Sequence, residues 1–404
     1  MFFPQDSRTV VLLDMDTFFV SVERLRNSRL EGLPVIVGSL SDRGVVAACS
    51  YETRLFGVHS AMPMRMALRL CPEARVVRGD MDLYSRYSRT VTDIIAEKAP
   101  VYEKASIDEH YLDLSGMDRF VGSLKWAREL RQRIRHETGL PLSMGFSVNK
   151  TVSKIAAGTA KPNGEREVPR EGVQPFLDPM AIRKIPMVGP KTEQLLLSMG
   201  VDTIATLCRI PPEMMEKVLG KPGIEIWRRA HGVDLRPVVP YSEELSMGTE
   251  RTFVSDTLDM AMLRQQLSAM VERLAFQLRC RQKLASVVTV KIRYANFDTH
   301  TLQQKIAYTA FDHLLLETAR ALFDRLYSRR MRIRLLGVKL SGLIGGVQQL
   351  SLFEDHSVRA SLCRSVDALR NRYGAGVVKR ASSILPSGSD NQEEGSDPDP
   401  YGEG

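Results

Sequence analysis

The sequence predicts an α+β protein of several domains, and three observations carry that prediction. At 404 residues the chain exceeds what one hydrophobic core ordinarily supports, so roughly two to four domains are expected. Residues 10–14 with 83–148, and again residues 246–345, place strand-like and helix-like stretches in the order β-α-β-β-α-β. Between these two runs, residues 174–236 break into short helical pieces punctuated by IPMVGP, SMGV, IPPE and GKPG.

The first run opens with an apolar strand, Val10–Asp14, after which TFFVSVERL turns helical. LPVIVGS (33–39) and GVVAACSY (44–51) are β-rich and separated by SDRG, a hairpin signal. AMPMRMALRLCPEA reads as a short helix after its proline. DLYSRYSRTVTDIIAEKAP is helical, with apolar or aromatic residues at 83, 84, 87, 91, 94 and 95. VYEKASIDEHYLDLSG reads as a strand pair or one long strand, and SLKWARELRQRIRHETG as a helix closed by Gly139. LPLSMGFSVN is a strand, and KTVSKIAAGTA a helix that stops at KPNG. With 19–82 set aside as a β-rich insertion, this is a ferredoxin-like order. Its first strand is expected beside the strand that follows the first helix. LRPVVPYSEEL (235–245) is a linker by its prolines and polarity. The second run is strand, helix (258–281), two strands, helix (311–328) and strand, without similarity in sequence to the first. A helix over RASLCRSVDALRNRYG and an acidic segment expected to be disordered complete the chain.

Composition narrows the function. A hydrophobic fraction of 43% with 26% charged residues is that of a globular protein. The absence of an 18-residue apolar run gives no expectation of a membrane span. The five cysteines form no CxxC pair, which fits a reduced compartment without a disulfide framework or zinc site. MFFPQDSRTV does not read as a signal peptide, so the cytoplasm is the expected location. Net charge is +8, yet residues 381–404 hold six acids and no Lys or Arg. The remainder has 56 basic against 42 acidic residues, or +14, and a body that basic suggests a polyanionic partner, nucleic acid first.

The acids carry the chemistry. Asp108 and Glu109 are neighbours in a run that otherwise reads as a buried strand, where alternation should send their side chains to opposite faces. Buried carboxylates need a partner or a metal. Together with Asp14 they can converge at one sheet edge and share divalent ions; taken alone, they also fit solvated turn acids. Asp16 reads as a helix cap. Arg54 and Tyr51 offer phosphate-binding groups, and Lys161 ends a helix. IRKIPMVGPKTEQLLLSMGV resembles a helix-hairpin-helix presenting Gly189 and Lys191 to a phosphate, with Met187 where a glycine is expected. Lys291 and Arg293, and likewise Arg330, Arg332 and Arg334, are expected on one basic sheet face suited to a phosphate backbone. QQLSLF can plug a partner's pocket with its Leu and Phe.

LLDMDTFFVSVE, SYETRLFGV, SIDEHYLDLS, GFSVNKTVSKIAAGTAKPNG and QLSLF, in this order, closely resemble the Y-family translesion DNA polymerases of the DNA polymerase IV (DinB) branch. The likeness spans about residues 8–350. It implies a ferredoxin-like palm (1–17 and 83–173) with small inserted fingers (18–82). It further implies a helical thumb (174–236), a linker (237–245) and a β-α-β-β-α-β little finger (246–347), followed by a helical extension (355–380). By the resemblance, Asp14, Asp108 and Glu109, helped by the Met15 carbonyl, bind two Mg²⁺. Tyr51, Arg54 and Lys161 hold the incoming triphosphate, and the Phe18 backbone lies near it. Phe19 is the gate that leaves no room for a 2′-hydroxyl. Gln349, Leu350, Leu352 and Phe353 belong to a clamp-binding peptide (348–354). The expected partners are primer-template DNA, deoxynucleoside triphosphates and the sliding clamp, with the chain acting as a monomer. A non-catalytic recruitment factor and a palm-fold nucleotidyl cyclase are the alternatives. The first should lose one of the three acids, and the second has no use for a thumb or a clamp peptide.

Overall fold

The structure is a computed structural model describing residues 8–117, 122–240, 243–346 and 357–381. The peptide containing Gln349, Leu350, Leu352 and Phe353, and the acidic segment from 382 onward, lie outside the described residues. Along the sequence the chain divides into two compact units between residues 242 and 243.

In the first unit, β1 (Val10–Met15) leads into α1 (Phe18–Arg26). β2 (Val35–Gly38), β3 (Val46–Cys49), α2 (Tyr51–Arg54), α3 (Met64–Leu70) and β4 (Arg75–Val77) follow. Then come α4 (Met81–Ala96), β5 (Tyr102–Lys104), β6 (Glu109–Asp113), α5 (Ser123–Thr138), β7 (Leu142–Ser147), α6 (Lys150–Ala160) and β8 (Glu165–Glu167). The main sheet runs β5-β6-β1-β7-β8. The first strand therefore lies between β6 and β7, not beside the strand that follows the helix α4, as its sequence order suggested. Strand neighbours are non-local choices, and here β5 pairs outward with β6 through the tight 105–108 turn.

All six β1 residues are buried, and alternation divides them. Val11, Leu13 and Met15 join the core that includes Ile94 and Ile95 of α4 and Leu130 and Ile134 of α5. Val10 and Leu12 pack with Tyr111 and with Ala157 of α6. Asp14 continues that second face.

β3-β2-β4 form a small sheet with its own core around Ile36, Cys49, Met64 and Cys71. Residues 173–230 add α7 (Val173–Leu177), α8 (Pro190–Ser198), α9 (Ile204–Cys208), α10 (Pro212–Leu219) and α11 (Lys221–Ala230), packed on Val152, Ile155 and Ala156 of α6. The first arm of the expected helix-hairpin-helix is only a 3₁₀ turn, Ile182–Lys184. Met187 takes φ +83°, the left-handed backbone that glycine adopts freely, whereas Gly189 sits at an ordinary φ of −85°. Segment 237–239, the start of the expected linker, is held by hydrogen bonds to the first unit. The Pro237 carbonyl accepts from Lys150, and the Val239 N–H donates to Glu103 at 2.7 Å.

The second unit comprises β9 (Ser246–Thr257), α12 (Met260–Cys280), β10 (Lys283–Tyr294), β11 (Thr299–Thr309), α13 (Asp312–Leu326), β12 (Ile333–Ser341), β13 (Ile344–Gly345) and α14 (Ser357–Tyr373). Its sheet order is β11-β10-β12-β9. Val288, Val290 and Ile292 point into the core, and Lys291 and Arg293 point out. That outer face is not purely basic, because Lys291 pairs with Glu250 across Gly337 of the intervening strand. Arg330 and Arg332 precede β12, so strand alternation does not align them with Arg334. Arg334 stacks over the Phe297 ring at 4.5 Å. α14 docks through Asp367, which takes a two-pronged contact from Arg279 of α12 at 2.6 and 2.9 Å; Arg279 also holds Asp312 of α13.

Candidate active site

The strand register brings the acids together. Asp14 is the direct cross-strand partner of Glu109 on one side and of Ser143 on the other. Residues opposite each other on adjacent strands share a face, so Asp14, Glu109 and Ser143 all look toward α6. Asp108 lies just before β6 in the turn, where its carbonyl accepts the Met15 N–H at 3.0 Å. Ser106 donates its hydroxyl to Asp108 at 2.6 Å and accepts the Asp108 and Glu109 N–H groups. The regular strand begins at Glu109. The two neighbouring acids therefore escape strict alternation because a turn residue precedes a strand residue.

Each acid has a hydrogen-bonding counterpart. Lys161 Nζ lies 2.6 Å from Asp14 Oδ1. Lys154 Nζ reaches both Glu109 oxygens, at 2.7 and 2.6 Å. Burial raises the Asp14 carboxyl to about 6, with Lys161 pulling it down and the Glu109 and Asp108 charges pushing it further up. Among the described residues no group of three His, Cys, Asp or Glu side chains is gathered closely enough to hold a metal ion. The donor set nevertheless suits a hard divalent cation. Two carboxylates stand in register, a third is one residue away, and their mutual repulsion is already felt at Asp14.

Asp16 does not cap α1. Thr17 holds the cap position at φ +42°, and the Asp16 side chain is buried behind the acids at 1% exposure. It accepts Tyr51 Oη at 3.2 Å, the Ser143 hydroxyl at 3.0 and 2.9 Å, and the Asn163 backbone N–H at 2.6 Å. Tyr51 is thereby held as a phenol, its ionisation pushed up by burial and by Asp16. The Arg54 guanidinium stacks over the Tyr51 ring at 5.0 Å with its side chain exposed.

Phe18 and Phe19 open α1 side by side. Phe18 is buried. Phe19 is half-buried and stacks on Tyr84 of α4 at 4.3 Å and 13°. Tyr84 is itself fully buried and donates its hydroxyl to buried Glu23 at 2.6 Å.

Asp14, Met15, Asp108, Glu109, Phe18, Phe19, Tyr51, Arg54 and Lys161 thus all belong to one region of the first unit. Gly189 and Lys191 open α8, which packs in the helical cluster, and Lys291, Arg293, Arg330, Arg332 and Arg334 are in the second unit. Sequence reasoning missed Lys154, Ser143, Asn163 and Tyr84 and misread Asp16. Two spacings carried a usable signal. Lys154 and Lys161 are seven residues apart, two helical turns on one face, and Asp14 and Asp16 are two apart, as on one strand face.

Residues 13–158 match the impB/mucB/samB family, and residues 244–352 match that family's C-terminal domain. The chain is 39% identical to DNA polymerase IV of Dehalococcoides mccartyi (strain CBDB1) over 376 residues, 92% of this chain and 96% of that protein. It is 38% identical to DNA polymerase IV of Halorhodospira halophila (strain DSM 244 / SL1), covering 86% of this chain and 98% of that one. Among solved structures, a Y-family DNA polymerase chimera, Dbh-Dpo4(243-245)-Dbh, aligns with a TM-score of 0.75 at 26% identity. The insertion ternary complex of Dbh DNA polymerase aligns with a TM-score of 0.60 at 26% identity. Each alignment covers 84% of this chain and all of the other.

Proposed function

The chain belongs to the impB/mucB/samB family of Y-family DNA polymerases, and from that premise we propose that it extends a primer 3′-hydroxyl on a DNA template by magnesium-dependent nucleotidyl transfer of the translesion type. The observation that carries the proposal is the register of Asp14 with Glu109, with Asp108 in the adjoining turn, Lys161 bonded to Asp14, and Tyr51 bonded to Asp16 beside them.

Asp14, Asp108 and Glu109, with the Met15 carbonyl, would hold two magnesium ions. Bound there, such ions lower the pKa of a primer hydroxyl and neutralise the leaving pyrophosphate. The protein's own groups do the positioning. Lys161, on the rim of the acids, supplies a movable ammonium for a triphosphate, and exposed Arg54 supplies a planar fork. The Phe18 backbone lies beside the phosphates. Phe19, backed by Tyr84, presents a flat ring against the sugar and excludes a 2′-hydroxyl. Holding the reactants in line and compensating charge supplies most of the rate, and no general base among the three acids is needed. Primer-template DNA and deoxynucleoside triphosphates are the substrates. Gly189 and Lys191 at the start of α8, together with Lys291, Arg293, Arg330, Arg332 and Arg334, are assigned to the DNA backbone. The 348–354 peptide is assigned to a sliding clamp.

Primer extension with magnesium tests the assignment. Asp108→Ala with Glu109→Ala should abolish extension while leaving the fold intact by circular dichroism. Extension at wild-type rate by the double variant would overturn it.

A further inference from the structure

The Asp16 carboxylate joins three parts of the chain that sequence keeps far apart. Tyr51 comes from α2, Ser143 from β7 and Asn163 from the turn after α6, and all donate to its two oxygens. Each is a proton donor in this arrangement, so an acceptor-only group satisfies all of them at once. The turn is gripped from its other side as well. Arg131 donates to the Asn163 carbonyl at 2.6 Å and to Asn163 Oδ1 at 3.2 Å, while its Nε holds the Leu142 carbonyl. Lys161 leads this turn and lies 4.0 Å from Asp16 Oδ1. Asp16 therefore fixes both the Tyr51 hydroxyl and the backbone that aims Lys161.

We infer that Asp16 is a positioning residue for the nucleotide triphosphate: without binding phosphate itself, it sets Tyr51 and Lys161 at their mutual spacing. This rests on the nucleotide-binding role proposed above for those two residues. A buried carboxylate suits the task better than a neutral group. Charge-assisted hydrogen bonds are shorter and stronger, and the two oxygens take donors from three different segments. An amide in the same place keeps the Asn163 contact but turns an N–H toward Tyr51. The hydroxyl must then accept instead of donate, and its proton swings elsewhere.

The test is steady-state single-nucleotide extension by Asp16→Asn, Tyr51→Phe and the double variant. Asp16→Asn is expected to raise KM for the paired deoxynucleotide about 10-fold, with kcat within about 3-fold, the signature of lost ground-state positioning. In the Tyr51→Phe background the same change should raise KM less than about 3-fold, because residues acting through one contact are not additive. Ser143→Ala, which loosens Asp16 without altering its charge, should raise KM about 3-fold and serves if Asp16→Asn fails to fold. Unchanged KM in Asp16→Asn and Ser143→Ala, or full additivity with Tyr51→Phe, would overturn the inference. If Tyr51→Phe and Lys161→Ala themselves leave KM at the wild-type value, the nucleotide-pocket assignment has failed, and this inference with it. If both raise KM and Asp16→Asn does not, only the inference has failed.

Discussion

The gate assigned to Phe19 makes a prediction about a residue that touches no nucleotide. Phe19 is only half-buried, so its ring needs a support to act as a wall. That support is Tyr84, stacked at 4.3 Å and 13° and fully buried. An aromatic pair of this kind is worth roughly 1 kcal/mol beyond its buried area. Tyr84→Leu removes the stack, and a wall loosened by about 1 kcal/mol should lower discrimination against ribonucleotides about 5-fold. Tyr84→Phe separates stacking from hydrogen bonding. It keeps the ring and strips the hydroxyl from Glu23, a carboxylate 3% exposed for which Tyr84 is the side-chain donor found among the described residues. Leaving that group without its donor should destabilise the fold by about 1–3 kcal/mol with discrimination unchanged. The assay is the ratio of kcat/KM for a deoxynucleotide to that for its ribonucleotide, alongside urea denaturation of each variant. Phe19→Ala gives the upper limit of lost discrimination. Wild-type discrimination in Tyr84→Leu, with discrimination lost in Phe19→Ala, would refute the idea that the stack holds the wall.

Three further outcomes follow from particular contacts. Burial pushes the His110 imidazole down from 6.5 to about 3. Its Nε2 meets the Thr92 hydroxyl, while Nδ1 has no partner among the described residues. Above pH 6.5 folded and unfolded chains are both neutral at this site. As the pH falls below 6.5, the unfolded chain takes up a proton the fold refuses, so by pH 5 about 2 kcal/mol of stability should be lost; an NMR titration in which His110 protonates near pH 6.5 would contradict this. Asp367→Ala severs the Arg279 contact that docks α14, and hydrogen exchange over 357–373 should quicken while β10 and β12 keep their protection. Leu352→Ala with Phe353→Ala should abolish capture by a sliding clamp and leave extension without the clamp intact, as read by pull-down and primer extension.

Most of the element order was legible in the sequence, because side-chain period and turn residues are local signals. The 3.6-residue pattern of 83–95 marked α4, and Gly139, at φ +71°, closes α5 where its position suggested. The structure also brings the residues of the first-unit motifs into one region. What local reading could not supply is pairing. Nothing in VYEKASIDEHYLDLS says that β6 rather than β5 lies against β1. Nothing near Asp16 says that its acceptors serve residues 35, 127 and 147 positions away. The cap reading failed for a related reason, since a backbone turn at Thr17 carries Asp16 inward instead of over the first turn of α1. Arg330, Arg332 and Arg334 looked like one strand face because the strand was taken to begin before Ile333.

The two β-α-β-β-α-β units show why element order alone cannot make a site. In the first, β1 is enclosed by β6 and β7, and its fifth residue, Asp14, keeps a side chain only 11% exposed. In the second, β9 is an edge strand, and its fifth residue, Glu250, is 47% exposed. Both acids pair with a lysine. Glu250 meets Lys291 near solvent, where screening leaves an ion pair worth little. Asp14 is different: burial lifts its carboxyl to about 6, and two further acids on the neighbouring segment add to the negative field. A carboxylate in that position gains far more from a cation than one on an exposed edge does. The path of the sheet, more than the presence of acids in the sequence, therefore concentrates charge at one strand end, and the same acids threaded through the second path would form a solvated surface.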